Sequence, residues 1–241
     1  MLLTFRYSFC FIFEIISAIS PYTVKLTGVN FNVPDITEIT EVTIPNTVEN
    51  STITYTVTGI GDNVFLNMTG LVKVNLPNQL AFIEAGAFQN AALNAITFPN
   101  TLLEIGNYAF KNNNLEEVVL TDNVRFIGAG AFENNNIATV SLPEQLEIIE
   151  SEAFAGNKLT EIDLPDALTY IQPACFKNNL LSRVSLPENL VIIGEEAFSG
   201  NELTELALPK LLMEVGIKAF AGNKLKHIMV SNQLMMLGME A

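Results

Sequence analysis

The chain has no tryptophan, one histidine, two cysteines and 12 basic residues against 26 acidic ones in a length of 241. Each shortage removes a class of function. With a formal charge of -14 and no run of Lys or Arg, the sequence offers nothing to follow a phosphate backbone, which disfavours nucleic acid as a partner. The same negative charge serves solubility. A lone His227 has no second imidazole or nearby orienting group, no Cys or His cluster has metal-ligand spacing, and no nucleotide-binding or nucleophile-elbow motif occurs. The expectation is therefore no catalytic residue, no cofactor and no metal. Cys10 and Cys175 lie in unrelated contexts and predict no disulfide. Beyond the first 20 residues there is no apolar run of 18, so no membrane-spanning segment is expected other than a signal-peptide-like start.

What the sequence has is apolar residues, 49% against 16% charged, and a period. Leu76, Phe98, Leu120, Leu142, Leu164, Leu186, Leu208 and Val230 recur every 22 residues without an insertion. Counted from them, the unit reads L-P-x-x-L-x-x-I-G-x-x-A-F-x-x-N-x-L-x-x-V-x. Its thirteenth position is Phe in every complete copy, from Phe88 to Phe220. Aliphatic residues at positions eighteen, twenty-one and one end in an in-out-in alternation, which predicts a short strand. The Pro that follows has no N–H for a sheet and ends it. A chain that returns to the same strand every 22 residues stacks equivalent side chains into ladders. One coil alone could not bury its apolar face, so the fold is a repeat solenoid, with parallel strands on one face and little regular helix.

Position sixteen is Asn in six consecutive units, Asn113 to Asn223. An inward amide there can satisfy backbone groups left open by the turn that enters the strand. The preceding position holds only Gly or Asn, as in Gly156, Gly200 and Asn134, the types that best tolerate a left-handed backbone.

The ends depart from the unit. Residues 1–20 carry one basic residue, Arg6, then an apolar stretch with Ser17, Ala18 and Ser20 before Pro21, and resemble a signal peptide, although Glu14 interrupts the stretch. Residues 21–65 are expected to form an N-terminal β cap and an irregular first repeat. There Ile53, Tyr55 and Val57 alternate as in a hairpin that covers the open end. Residues 66–241 are the repeats. The last unit begins at Val230 and reaches Ala241 without its Phe, which predicts further repeats or domains beyond Ala241 and leaves Met229, Met235, Met236 and Met239 on an uncovered edge.

The unit, above all LPEQLEIIESEAFAGNKLTEIDLP from Leu142 to Pro165 and LPENLVIIGEEAFSGNELTELALP from Leu186 to Pro209, resembles the BspA-like leucine-rich repeats. The likeness spans roughly residues 36 to 241. It implies a leucine-rich-repeat right-handed coil or horseshoe, secreted or displayed on the cell surface, acting in adhesion by binding a protein or glycan on a host or neighbouring cell. It implies no shared catalytic residue. A second reading is a structural spacer array within a larger multidomain surface protein. Thr121 for Pro, Cys175 for Ala and Ala91 for Asn are the departures.

The outward strand positions are the candidate partner-binding face: Lys73, Glu117, Thr139, Glu161, Asp163, Arg183 and Glu205. Arg183 sits between Glu161 and Glu205, where its charge relieves a ladder of carboxylates. Without aromatic or Arg-rich anchors such a face suits weak, multivalent contact.

Overall fold

The structure, a computed structural model, describes residues 2–4, 9–31, 38–228 and 233–240. Among these there is no α-helix, and the coils carry β1 (Leu2–Thr4), β2 (Phe9–Ser17), β3 (Thr23–Phe31), β4 (Glu41–Thr43), β5 (Thr47–Asn50) and β6 (Ile53–Ile60). There follow β7 (Lys73–Asn75), β8 (Phe82–Ile83), β9 (Glu104–Ile105), β10 (Glu117–Val119), β11 (Phe126–Ile127), β12 (Thr139–Ser141) and β13 (Ile148–Ile149). The last are β14 (Glu161–Asp163), β15 (Tyr170–Ile171), β16 (Arg183–Ser185), β17 (Ile192–Ile193), β18 (Glu214–Val215) and β19 (Met236–Leu237).

The 22-residue period becomes a parallel solenoid with strands on two faces, where the sequence suggested one. On the expected face β4 pairs with β7, β10 with β12 and β14 with β16, all parallel. The second ladder comes from positions seven and eight of the unit. It runs β6–β8–β9–β11–β13 and resumes as β15–β17–β18–β19. Its inward residues stack in register, Ile60 on Ile83 on Ile105 on Ile127 on Ile149. The physical reason is local: with Leu at position five and Ile at position eight both buried, the chain between them is extended, and neighbouring coils at strand spacing pair there as well.

Between the two ladders lies the aromatic column. Phe65, Phe88, Phe110, Phe132, Phe154, Phe176, Phe198 and Phe220 stack with ring centroids 5.0–5.8 Å apart and planes within 11° of parallel. All eight are buried. Phe98, which replaces Leu at position one, meets Phe110 edge-on at 5.7 Å. The residues at position fifteen, from Asn90 to Gly222, have φ between 55° and 73°, the left-handed turn that Asn and Gly tolerate. Position eleven is left-handed too, although it holds Tyr108, Glu152, Ala174, Glu196 and Lys218.

The buried asparagines join coils to each other. Each Oδ1 accepts the N–H of the residue twenty positions earlier, and each Nδ2 donates to the carbonyl of the Phe three residues before it and to that of the Phe in the preceding coil. The turn-satisfying role expected from the sequence therefore spans two coils.

The cap is larger than the sequence implies. The β5–β6 hairpin is present and antiparallel, and β6 leads into the second ladder through β8. β3 pairs in parallel with β6, and β2 pairs antiparallel with β3, placing Phe11 and Phe13 in the core beside Val24, Leu26 and Val57. The apolar stretch that resembles a leader thus supplies a strand here, burying Phe11 and Phe13 on one face while Ile15 and Ile16 near its end stay exposed. At the other end Met235, Met236 and Met239 are exposed. Met229, Val230 and Ala241 lie outside the described residues, as does Arg6.

Candidate functional face

Position twenty of the unit precedes an inward aliphatic, so its side chain points away from the core. Lys73, Glu117, Thr139, Glu161 and Arg183 open strands β7, β10, β12, β14 and β16, and Asp163 closes β14. Glu205 holds the same column on a coil with no strand at that point. All seven are exposed. The expected face is thus assembled, with Glu117 beside Thr139 and Glu161 beside Arg183 across parallel pairs.

Its charges largely neutralise each other. Lys73 Nζ lies 2.7 Å from Glu41. Hydrogen bonds from Lys73 and Asn75 hold the Glu41 carboxyl below the usual carboxylate range. Arg183 makes a fork to Asp163, at 2.9 and 3.2 Å, and reaches Glu161 at 3.1 Å. These bonds raise its pKa above the ordinary guanidinium value, Asp163 contributing most. Arg183 therefore turns back on the preceding coil, relieving the carboxylates of β14, and makes no ion pair with Glu205. The geometric reason is that one coil presents both carboxylates of β14 to the guanidinium fork. Glu117 and Glu205 have no ion pair among the described residues, so the face is left net negative.

The sheet on this face is broken into the separate pairs β4–β7, β10–β12 and β14–β16, and residues 95–97 form no strand. Backbone bonds join Asn94 to Val72, Ala138 to Glu116 and Ser182 to Thr160, but among the described residues none joins Glu116 to Asn94, Thr160 to Ala138 or Thr204 to Ser182. Grooves lie at the gaps. One of about 280 Å³ is lined by Thr139, Glu144, Glu161 and Asp163. Another, of about 600 Å³, is lined by Arg183, Glu205 and His227.

The second ladder also has an outward column, which the unit consensus concealed as an x. In register it runs Phe82, Glu104, Phe126, Ile148, and then Tyr170, Ile192, Glu214, Met236. None of these is fully buried. The signal that could have found it is the bulk at position seven, where exposed positions of a soluble coil are usually polar.

No group of three or more His, Cys, Asp or Glu able to hold a metal ion occurs among the described residues. Cys175 is buried, and desolvation pushes its thiol far up, which disfavours the thiolate. His227 is exposed. No helix of the described residues is long and apolar enough to cross a membrane.

The model of the BspA type leucine rich repeat region matches in six copies over residues 35–158 and 127–241. No curated protein sequence matches the chain. Among solved structures, a leucine-rich repeat protein from Bacteroides ovatus is similar over 94% of this chain and 66% of its own, at 26% identity with a TM-score of 0.74. A leucine rich cell surface protein from Faecalibacterium prausnitzii is similar over 95% of this chain and 54% of its own, at 26% identity with a TM-score of 0.58. The chain thus spans between about half and two thirds of the length of those two relatives.

Proposed function

The chain belongs to the BspA-type leucine-rich repeat family, and from that premise we propose that it is a recognition module of a secreted or cell-surface protein, adhering to a partner protein through the outward side chains between Lys73 and Glu205. The family is one of protein-interaction repeats. The observation that carries the reading is that this column is solvent-facing on every rung, while the Phe and Asn ladders fix the backbone behind it from within. A backbone held at fixed spacing loses little freedom on binding, which favours repeated shallow contacts. Because Lys73 and Arg183 are already paired, the free charge of the face is that of Glu117 and Glu205, and the partner presents polar or cationic groups. The description of the Faecalibacterium prausnitzii relative as a cell surface protein supports display outside the cell.

The test is capture from extracellular and surface proteins with the native chain and with Glu117, Glu161 and Arg183 all changed to Ala. A protein held by the native chain and lost by the variant supports the face. Retention by both, or capture of nothing by either, overturns it, the latter leaving a spacer. Export is tested by sequencing the N-terminus of the protein from its host: cleavage near Ser20 supports a leader, and an intact Met1 on a cytosolic protein removes the surface location.

A further inference from the structure

We propose that a second contact site lies on the opposite ladder, where Phe82, Glu104 and Phe126 form a receptor for a single lysine or arginine side chain of a partner protein. The proposal rests on the reading of the chain as a protein-interaction module and adds a site and a ligand chemistry to it.

The three residues occupy successive rungs, Phe82 paired with Glu104 and Glu104 with Phe126. Strand spacing places the two rings two rungs apart, about 10 Å, with the carboxylate between them. They line a groove of about 530 Å³ together with Asp62, Glu84 and Ala85. Both rings line the groove and are partly exposed, and an aromatic ring attracts a cation over its face while its apolar surface packs an alkyl stem.

Of the three carboxylates around this groove, two are already used by the fold. Asp62 Oδ1 accepts the N–H of Ala85 at 2.9 Å, and Glu84 binds Lys25 Nζ at 2.9 and 3.1 Å. Glu104 is exposed and has neither a hydrogen bond nor an ion pair through its side chain among the described residues. It is the carboxylate left for an outside cation. A ring on both sides of it sets this rung apart from Glu214, whose neighbours in register are Ile192 and Met236.

Charge decides what occupies the groove. A second copy of this chain carries -14 and only 12 basic residues, and seven described ones already stand in ion pairs. A partner surface or segment rich in Lys or Arg complements the field, and the whole acidic chain speeds its approach.

The experiment uses the full chain and a fluorescein-labelled hexapeptide, with one central lysine flanked by Thr and Gly, read by anisotropy. Its counterpart has norleucine at the same place, equal in stem and lacking the charge. The lysine peptide is expected to bind about five- to tenfold more tightly than the norleucine one. Glu104→Gln and Phe126→Leu are each expected to weaken it by about that factor. Glu214→Gln removes the same charge from the same ladder without the rings, and is expected to leave affinity unchanged. Equal binding of the two peptides, no binding at all, or equal losses from Glu104→Gln and Glu214→Gln would each overturn the site, the last by showing only general attraction to an acidic protein. The Glu117, Glu161 and Arg183 triple variant should bind the peptide as the native chain does. A failure at Glu104 is thus separable from a failure of the strand-face reading.

Discussion

Asn157 Oδ1 accepts the backbone N–H of Ile137, twenty residues earlier and one coil away, at 3.1 Å, while its Nδ2 donates to the carbonyls of Phe132 and Phe154 at 2.9 and 3.1 Å. One buried amide thus closes backbone groups on two coils, and stacking of coils and satisfaction of the turn become a single event. Asn157→Ala leaves the Ile137 N–H buried and unpaired and takes one of two donors from each of the Phe132 and Phe154 carbonyls, which Asn135 and Asn179 still reach, at a cost of about 1 to 3 kcal/mol. The urea midpoint should fall accordingly. Asn157→Asp keeps an acceptor for Ile137 but loses both donors, and is expected to be no better tolerated. Stability within 0.5 kcal/mol of native, roughly the range of a neutral surface substitution, would refute the bridge.

Ala91 occupies the same column, and the structure shows why no Asn is needed there. An extra residue between Phe65 and Leu71 lets the Leu71 N–H bond to the Met68 carbonyl at 2.9 Å within its own turn. Ala91→Asn should therefore bring no gain, and it places an amide at a buried position. The measured outcome expected is a lower urea midpoint. A rise would mean that the Asn bridge forms regardless of the insertion.

Phe154 lies between Phe132, at 5.3 Å, and Phe176, at 5.8 Å. Phe154→Ala should cost about 3 to 5 kcal/mol through lost transfer energy and the cavity left in a column that cannot collapse along its axis. Phe220 stacks on Phe198 and is slightly exposed, so Phe220→Ala is expected to cost less. Equal losses by chemical denaturation would argue that the column does not act as a stack.

Much of this was visible in the sequence because period 22 multiplies each weak local signal. The Phe column, the Asn column, the left-handed position fifteen and the β5–β6 hairpin are each carried by residue types with one dominant reason to recur. The second ladder was not visible because two residues such as Phe82 and Ile83 show no alternation. Position eleven was hidden because Glu152, Ala174 and Lys218 give no hint of a positive φ, which the inter-coil bonds around them impose. Strand β2 was masked by composition, since an apolar stretch after one basic residue fits a leader and a strand alike. On the candidate face the exposed column was legible. The engagement of Arg183 with Asp163 was not, because it depends on the fork of the guanidinium reaching two positions of one strand.

The Lys73–Glu41 contact gives a prediction in pH. The folded carboxyl titrates below its unfolded value, so the contact favours the fold above the usual carboxylate range and is lost as pH falls through the lowered value. Carbon-detected NMR titration should place the Glu41 midpoint low, and Lys73→Met should move it up towards the ordinary value. Both groups are solvent-exposed, so salt should weaken the effect as well. A midpoint indifferent to Lys73→Met would mean that the pair is not formed in solution.

The second ladder breaks where neither of two stacked residues at position nine is glycine, and a steric cause for the break can be tested. Position nine is Gly in most units because the coils approach closely there: a Cβ on Gly128 would lie 2.5 Å from the backbone nitrogen of Asn107, and one on Gly216 2.5 Å from that of Glu195. Glu84 and Glu150 depart from the rule, but each stacks on a glycine, Gly61 or Gly128, and their coils still pair, with Glu150 N–H bonded to Ile127 at 2.9 Å. Gln172 stacks on Glu150, so two side-chain-bearing residues meet, and there β13 and β15 do not pair. No bond from Gln172 N–H to the Ile149 carbonyl forms, whereas Gly194 N–H reaches Ile171 at 2.8 Å. The Gln172 amide should thus exchange with solvent faster than those of Glu150 and Gly194. Gln172→Gly should slow its exchange by closing the ladder, as Gly106 does above Glu84. Stability is the wrong readout, because the hydrogen bond gained, about 1 kcal/mol, is offset by the backbone freedom that glycine adds to the unfolded chain. Pro173 restricts the residue before it and is the competing cause. If Pro173→Ala slows exchange at 172 and Gln172→Gly does not, the interruption belongs to the proline and the close-approach account of the glycine column fails at this coil.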